Sequence, residues 1–173
     1  MTKLQHRFLQ PQNTDALHDI VSDWDVVRQL EAWPWPPDRS FTQSRCRPYD
    51  GDGFVWGIFE DDVLLGIMGV TKGDIGYCFR QSAWGRGIAT HFGRLAINFA
   101  FQDPALTKIT ASCWHDNEGS DRVLHKLSFC QLGEQVQHAF ARDEPTLCYK
   151  YLLTRTHWDG LRSRGEWTIA AAQ

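Results

Sequence analysis

The residues best suited to chemistry lie in Arg80-Gln81-Ser82-Ala83-Trp84-Gly85-Arg86-Gly87-Ile88-Ala89-Thr90, between a strand-like run and a helix-like run. A turn with glycines one residue apart, opening a helix, leaves backbone N–H groups unpaired and directed outward. Such a turn is a cradle for phosphate. The turn is a poor dinucleotide fingerprint. It lacks a third spaced glycine, and the strand before it belongs to a meander and does not open a βαβ unit. It is not a P-loop either, because Gly-Lys-Ser/Thr is absent.

The elements that must hold this turn follow from periodicity. Residues 5–10 read as a strand ending at Pro11. Thr14 is a candidate helix N-cap, and Leu17, Ile20, Val21, Trp24, Val27 and Leu30 recur at helical spacing, with Asp23 as a break. Trp33-Pro34-Trp35-Pro36-Pro37 cannot be a helix interior and reads as a rigid aromatic loop. Phe54–Phe59 and Val63–Val70 flank Glu60-Asp61-Asp62 as a hairpin, and Ile75–Phe79 is a third strand, in which Gly76 marks a bulge or a close approach. Ile88, Phe92, Leu95 and Phe99 form one helical face. Lys108–Trp114 is a strand, and a helix starts at Asn117–Ser120 with Val123, Leu124 and Leu127 inward. Residues 129–136 and 145–153 close the pattern as a strand pair. From about residue 155 to 173 a short helix-like piece and a mobile end form a C-terminal extension. Strands, helices and a meander in this order predict an α+β fold for residues 1–173 as one domain, with a mixed sheet.

A length of 173 residues, 42% hydrophobic and 23% charged, is that of an ordinary globular chain. The net charge of -3 argues against a nucleic-acid binder driven by bulk positive charge. No apolar run approaches a membrane span, and the polar N-terminus lacks a signal core, so the expected location is cytoplasmic. The cysteines Cys46, Cys78, Cys113, Cys130 and Cys148 are odd in number and lack CxxC spacing. They suggest neither a metal site nor a disulfide framework. Cys78, Cys113 and Cys148 lie in strand-like runs and are expected to pack as small hydrophobes.

Ile75-Gly76-Tyr77, then Trp84-Gly85-Arg86-Gly87-Ile88-Ala89-Thr90, then Asn117-Glu118-Gly119-Ser120 with Val123-Leu124 and Leu127-Ser128-Phe129, resembles the GCN5-related N-acetyltransferase (GNAT) superfamily. The likeness is greatest to its ribosomal-protein N-terminal acetyltransferase branch, and it runs to about residue 160. It implies a mostly antiparallel sheet flanked by helices, with a splayed strand pair, and acetyl-coenzyme A as co-substrate without a metal. Cys78, Phe79, Arg80, Trp84, Gly85, Arg86, Gly87, Ile88, Ala89, Thr90 and Asn117 would then bind the coenzyme: the turn its pyrophosphate, the strand its pantetheine arm. Asp74 is a candidate base or a turn residue. Ser120, where some relatives place a hydroxyl near the departing sulfur, is a candidate acid or a helix-start residue. His115 and Asp116 are weaker candidates for proton transfer. Trp33 and Trp35 are candidate walls of the acceptor pocket. Ser82, His91 and Ser128 depart from the family pattern, and Ser128 would be strained if its site needs positive φ.

The resemblance implies transfer of an acetyl group to a primary amine, peptide N-terminus or small molecule, by direct attack in a ternary complex. The expected state is a monomer or homodimer, with no nucleic-acid or membrane partner. A non-catalytic acyl-coenzyme A sensor or scaffold, and an enzyme using a longer acyl donor, are the alternatives.

Overall fold

A computed structural model describes residues 3–169. Seven strands form one sheet: β1 (Leu4–Arg7), β2 (Gly53–Glu60), β3 (Val63–Thr71), β4 (Asp74–Phe79), β5 (Lys108–Trp114), β6 (Cys130–Ala139) and β7 (Glu144–Thr154). The helices are α1 (Thr14–Val21), α2 (Trp24–Val27), α3 (Arg39–Arg45), α4 (Ile88–Ala100), α5 (Glu118–Lys126) and α6 (Arg155–Ser163). The strand order is β1-β2-β3-β4-β5-β7-β6. Neighbours are antiparallel except β4 and β5, which are parallel and share the single register pair Asp74–Thr110. Beyond that pair the two strands part, which is the expected splay.

Alternation along the strands sends side chains into separate cores on the two faces. Phe54, Trp56 and Ile58 of β2 and Ile75 and Phe79 of β4 enter the larger core with Phe92, Ala96 and Leu124 of α4 and α5. Phe59 of β2 and Cys78 of β4 point the other way, to Leu17, Ile20 and Val26 of α1 and α2. A bulge keeps β3 in step with this division. Ile58 pairs with Gly66 while Phe59 pairs with Leu64, so Leu65 is the extra residue. Leu65 therefore reaches the larger core, and its neighbour Leu64 the smaller one.

The structure changes several local expectations. Thr14 is the first residue of α1 and not its cap; its hydroxyl donates to Pro11 O at 2.7 Å. Asp23 does break the helical run, accepting from Asp25 N at 3.0 Å as the cap of α2. Helix α3 follows the Trp-Pro loop unforeseen, with Asp38 Oδ1 accepting from Ser40 N and Phe41 N. Gly76 sits in unbroken register with Gly69, with no bulge, and a Cβ there would meet only open space. The buried face of α4 is Ile88, Phe92, Gly93, Ala96 and Ile97, whereas Phe99 is 45% exposed and lies edge-on to Phe54. The expected mobile end of the chain falls on residues 170–173, outside the described range.

Candidate active site

The space between β4 and β5 opens into a cleft of about 960 Å³. Because Asp74, Gly76 and Cys78 alternate with Ile75, Tyr77 and Phe79, the cleft is lined from both faces of the sheet. On the α4–α5 face it reaches the glycine turn. On the α1–α2 face it reaches the Arg28–Trp33 segment and parts of β2 and β3 at Val55, Ile67 and Gly69.

The glycine turn has the form a phosphate cradle requires. Gly85 and Gly87 have φ of 72° and 77°, in the left-handed region, and nothing lies within 4 Å of a Cβ built on either. Gly87 caps α4, and His91 N is the amide that bonds back to Gly87 O, at 2.9 Å. The amides of Ile88, Ala89 and Thr90 thus precede the helical ladder and keep their donors at the positive end of the helix dipole. The Trp84 indole donates to Phe79 O at 2.8 Å, which ties the turn to the end of β4. These features fit a pyrophosphate on the turn and an extended arm along the open edge of β4.

Most of the expected residues meet in this cleft: Trp33, Asp74, Cys78, Phe79, Trp84, Gly85, Gly87, Ile88, Ala89, Thr90, Asn117 and Ser120 all line it. Arg80, Arg86 and Trp35 do not. Arg80 lines a separate depression with Asp19, Asp23 and Ser82. Arg86 forms a two-pronged pair with Glu60 at the end of β2. Trp35 is 41% exposed and packs on Trp24, with ring centroids 5.0 Å apart. Trp33 stays in the wall, edge-on to Phe41 at 5.2 Å.

The candidate acid and base are held on opposite faces. Thr110 Oγ1 donates to Asp74 Oδ2 at 2.6 Å at the apex of the splay. Burial raises the Asp74 pKa above the usual aspartate value. The Thr110 bond and Lys150 pull it down and the Glu31 charge pushes it up, leaving a net rise. On the other face Asn117 caps α5 by accepting from Ser120 N at 3.0 Å, which fixes the Ser120 backbone. Ser120 Oγ lies 2.8 Å from the hydroxyl of Tyr77 on β4. Burial raises the Tyr77 pKa far above that of a free phenol, so it stays protonated.

Tyr77 was a motif residue without an assigned role in the sequence; its signal was a phenol on a buried strand, which needs a polar partner. Asp116, a weaker candidate for proton transfer, is already engaged. Burial would raise its pKa, but Arg142 and Arg28 outweigh burial and hold it below the usual value. Cys78, Cys113 and Cys148 are free and buried. Burial pushes Cys78 up to about 12 and Cys113 up to about 11, so both remain thiols near neutral pH.

Comparison with known proteins agrees with this architecture. The chain is 28% identical over 102 residues to the uncharacterized N-acetyltransferase YoaA of Bacillus subtilis (strain 168), covering 54% of this chain and 58% of that protein. The chain thus spans less than two thirds of that relative's length. It is 22% identical over 173 residues to the putative ribosomal N-acetyltransferase YdaF of the same organism, covering 89% and 92% of the two chains. Among solved structures it resembles RimL, a ribosomal L7/L12 alpha-N-protein acetyltransferase in complex with coenzyme A. That match has a TM-score of 0.72 at 18% identity, covering 91% of this chain and 97% of that one. The family model for an acetyltransferase (GNAT) domain matches residues 3–129, and the chain therefore belongs to the GNAT family of acetyltransferases.

Proposed function

We propose that this chain transfers an acetyl group from acetyl-coenzyme A to a primary amine, by direct attack within a ternary complex. The observation that carries this reading is the cleft through the sheet, with the left-handed turn Gly85–Gly87 at one end and Asp74 and Ser120 on opposite faces. The thioester supplies an activated acyl group. Asp74, with its raised pKa, takes the proton from the incoming ammonium, directly or through water. Ser120 presents its hydroxyl on the far face, where the sulfur departs. Either hydroxyl of the Tyr77–Ser120 pair can donate; in the arrangement where Tyr77 donates, the serine proton is free to point into the cleft. Direct attack is favoured over an acetyl-cysteine intermediate because burial raises the pKa of the cleft thiols Cys78, Cys113 and Cys148.

The acceptor enters on the α1–α2 face, where Trp33 and Arg28–Ala32 form the wall. An indole wall suits an apolar or aromatic group beside the reacting amine. A ribosomal-protein N-terminus, as in the name of the structural neighbour, and a small amine both fit this description. Five free cysteines suit a reducing compartment, the cytoplasm. The test is thiol release from acetyl-coenzyme A with seryl- and alanyl-peptides, tyramine and spermidine as acceptors. Turnover with at least one acceptor, lost in Asp74→Asn, is the expected result. Failure of acetyl-coenzyme A to bind or to stabilise the fold would overturn the reading.

A further inference from the structure

Arg142 lies in the turn between β6 and β7, outside the cleft lining, yet its guanidinium gathers parts of the acceptor wall. Its Nε donates to Arg28 O at 2.8 Å, and its Nη2 donates to Gln29 Oε1 at 3.0 Å and to Asp116 Oδ1 at 2.8 Å. The side chain is 9% exposed and sits over the Trp114 ring at 6.0 Å. Its partners Arg28, Gln29 and Asp116 all line the cleft. Arg28 and Gln29 belong to the segment after α2; Asp116 belongs to the junction of β5 and α5.

We propose that Arg142 is the positioning residue of the acceptor side, tying the Arg28–Trp33 wall to Asp116 across the mouth of the cleft. This rests on the acetyl-transfer reading for its function but not for its geometry. Arg28 caps a helix of a single turn, so its carbonyl needs a partner from elsewhere, and Arg142 supplies it. The wall segment has few anchors of its own. Its backbone bonds Gln29 N to Val26 O and Leu30 N to Val27 O are local turns. Arg28 adds a second tie, its Nη1 lying 3.3 Å from Asp116 Oδ2. Its Nε, 3.3 Å from Asp25 Oδ1, is buried without a hydrogen bond, so the contact to Asp25 is the looser one. Asp116 is thus the shared anchor of both arginines. An arginine fork serves a carbonyl, an amide and a carboxylate at once; a lysine ammonium at this reach serves fewer.

The test is hydrogen–deuterium exchange on the full chain, comparing wild type, Arg142→Ala and Arg142→Lys, with acetyl-coenzyme A binding followed by calorimetry. The expected result is exchange at residues 28–33 at least tenfold faster in Arg142→Ala and intermediate in Arg142→Lys. Exchange at residues 85–90 and the acetyl-coenzyme A dissociation constant stay within twofold of wild type. Unchanged exchange at 28–33 would overturn the proposal. So would acceleration spread equally over 28–33 and 85–90 with binding lost in step, which is the mark of general destabilisation. Lack of acetyl transfer in the wild type, with residues 28–33 exchanging as expected in the variants, would count against the functional reading alone.

Discussion

The hydroxyls of Tyr77 and Ser120 lie 2.8 Å apart, joining the middle of β4 to the first turn of α5 across the open part of the splay. The pair connects the strand that opens the cleft with the helix that walls it. Ser120→Ala is expected to lower kcat by about a hundredfold to a thousandfold, the range of a single proton donor or oxyanion-type contact. Tyr77→Phe keeps the ring and removes the bond, so kcat should fall by a smaller factor, about three- to tenfold, with KM for acetyl-coenzyme A unchanged. Steady-state kinetics of both variants check this; equal losses in kcat and in coenzyme affinity would assign Tyr77 to binding instead.

Asp74 predicts a pH dependence with a defined sign. Its folded pKa is raised by burial, so the base form appears at higher pH than for an ordinary aspartate. Activity should rise along that limb, and Asp74→Asn should abolish the limb with most of the activity. Stability runs the opposite way. Below the unfolded pKa the group is protonated in both states and costs nothing. As pH rises through the folded pKa, the buried charge becomes a penalty. At pH 7 Asp74→Asn should therefore melt no lower than wild type, a difference that vanishes in acid.

The cradle can be tested without touching the chemistry. Gly87→Ala places a Cβ where the structure has open space, so the folded protein meets no clash, but φ of 77° costs a non-glycine residue about 1 kcal/mol. The same Cβ occupies the approach to the turn amides. A modest fall in Tm, with acetyl-coenzyme A affinity reduced by tenfold or more, is the expected outcome. Wild-type affinity in this variant would place the phosphates elsewhere.

Ser128 offers a stabilising change. Ser128 N bonds to His125 O at 2.9 Å and Phe129 N to Leu124 O at 3.0 Å, the paired bonds of a Schellman helix end. Ser128 takes the left-handed position of that motif with φ of 63°, where glycine is favoured. Ser128→Gly should stabilise by about 1 kcal/mol, or roughly 2–4 °C in Tm, measured by thermal melting. A lower Tm would show that the serine side chain contributes more than its strain.

What was legible in the sequence was local. The Gly85–Gly87 turn and strand β5 could be read from spacing and residue type, because each depends on a few neighbours, and the strain at Ser128 followed from the family resemblance. Helix α3 was missed because seven residues after a proline run carry little periodicity, and its stability comes from the Asp38 cap. The face of α4 shifted because Phe99, 45% exposed, lies against Phe54 and Trp56 from the edge of the core while Phe92, Gly93, Ala96 and Ile97 fill it. Arg86 was expected at the coenzyme as part of the turn, but it is drawn to Glu60 26 positions earlier, a contact no local pattern reports. The Tyr77–Ser120 bond and the Arg142 fork span 43 and 114 positions at their longest, so they become visible only once the sheet is assembled.

The central claim is that the splay and the glycine turn together hold acetyl-coenzyme A. Backbone amide NMR during titration with acetyl-coenzyme A tests it most directly. The account predicts saturable shifts concentrated at Gly85–Thr90 and along β4 from Tyr77 to Phe79. Binding that leaves the Gly85–Thr90 amides unmoved, or no binding at all, would contradict it.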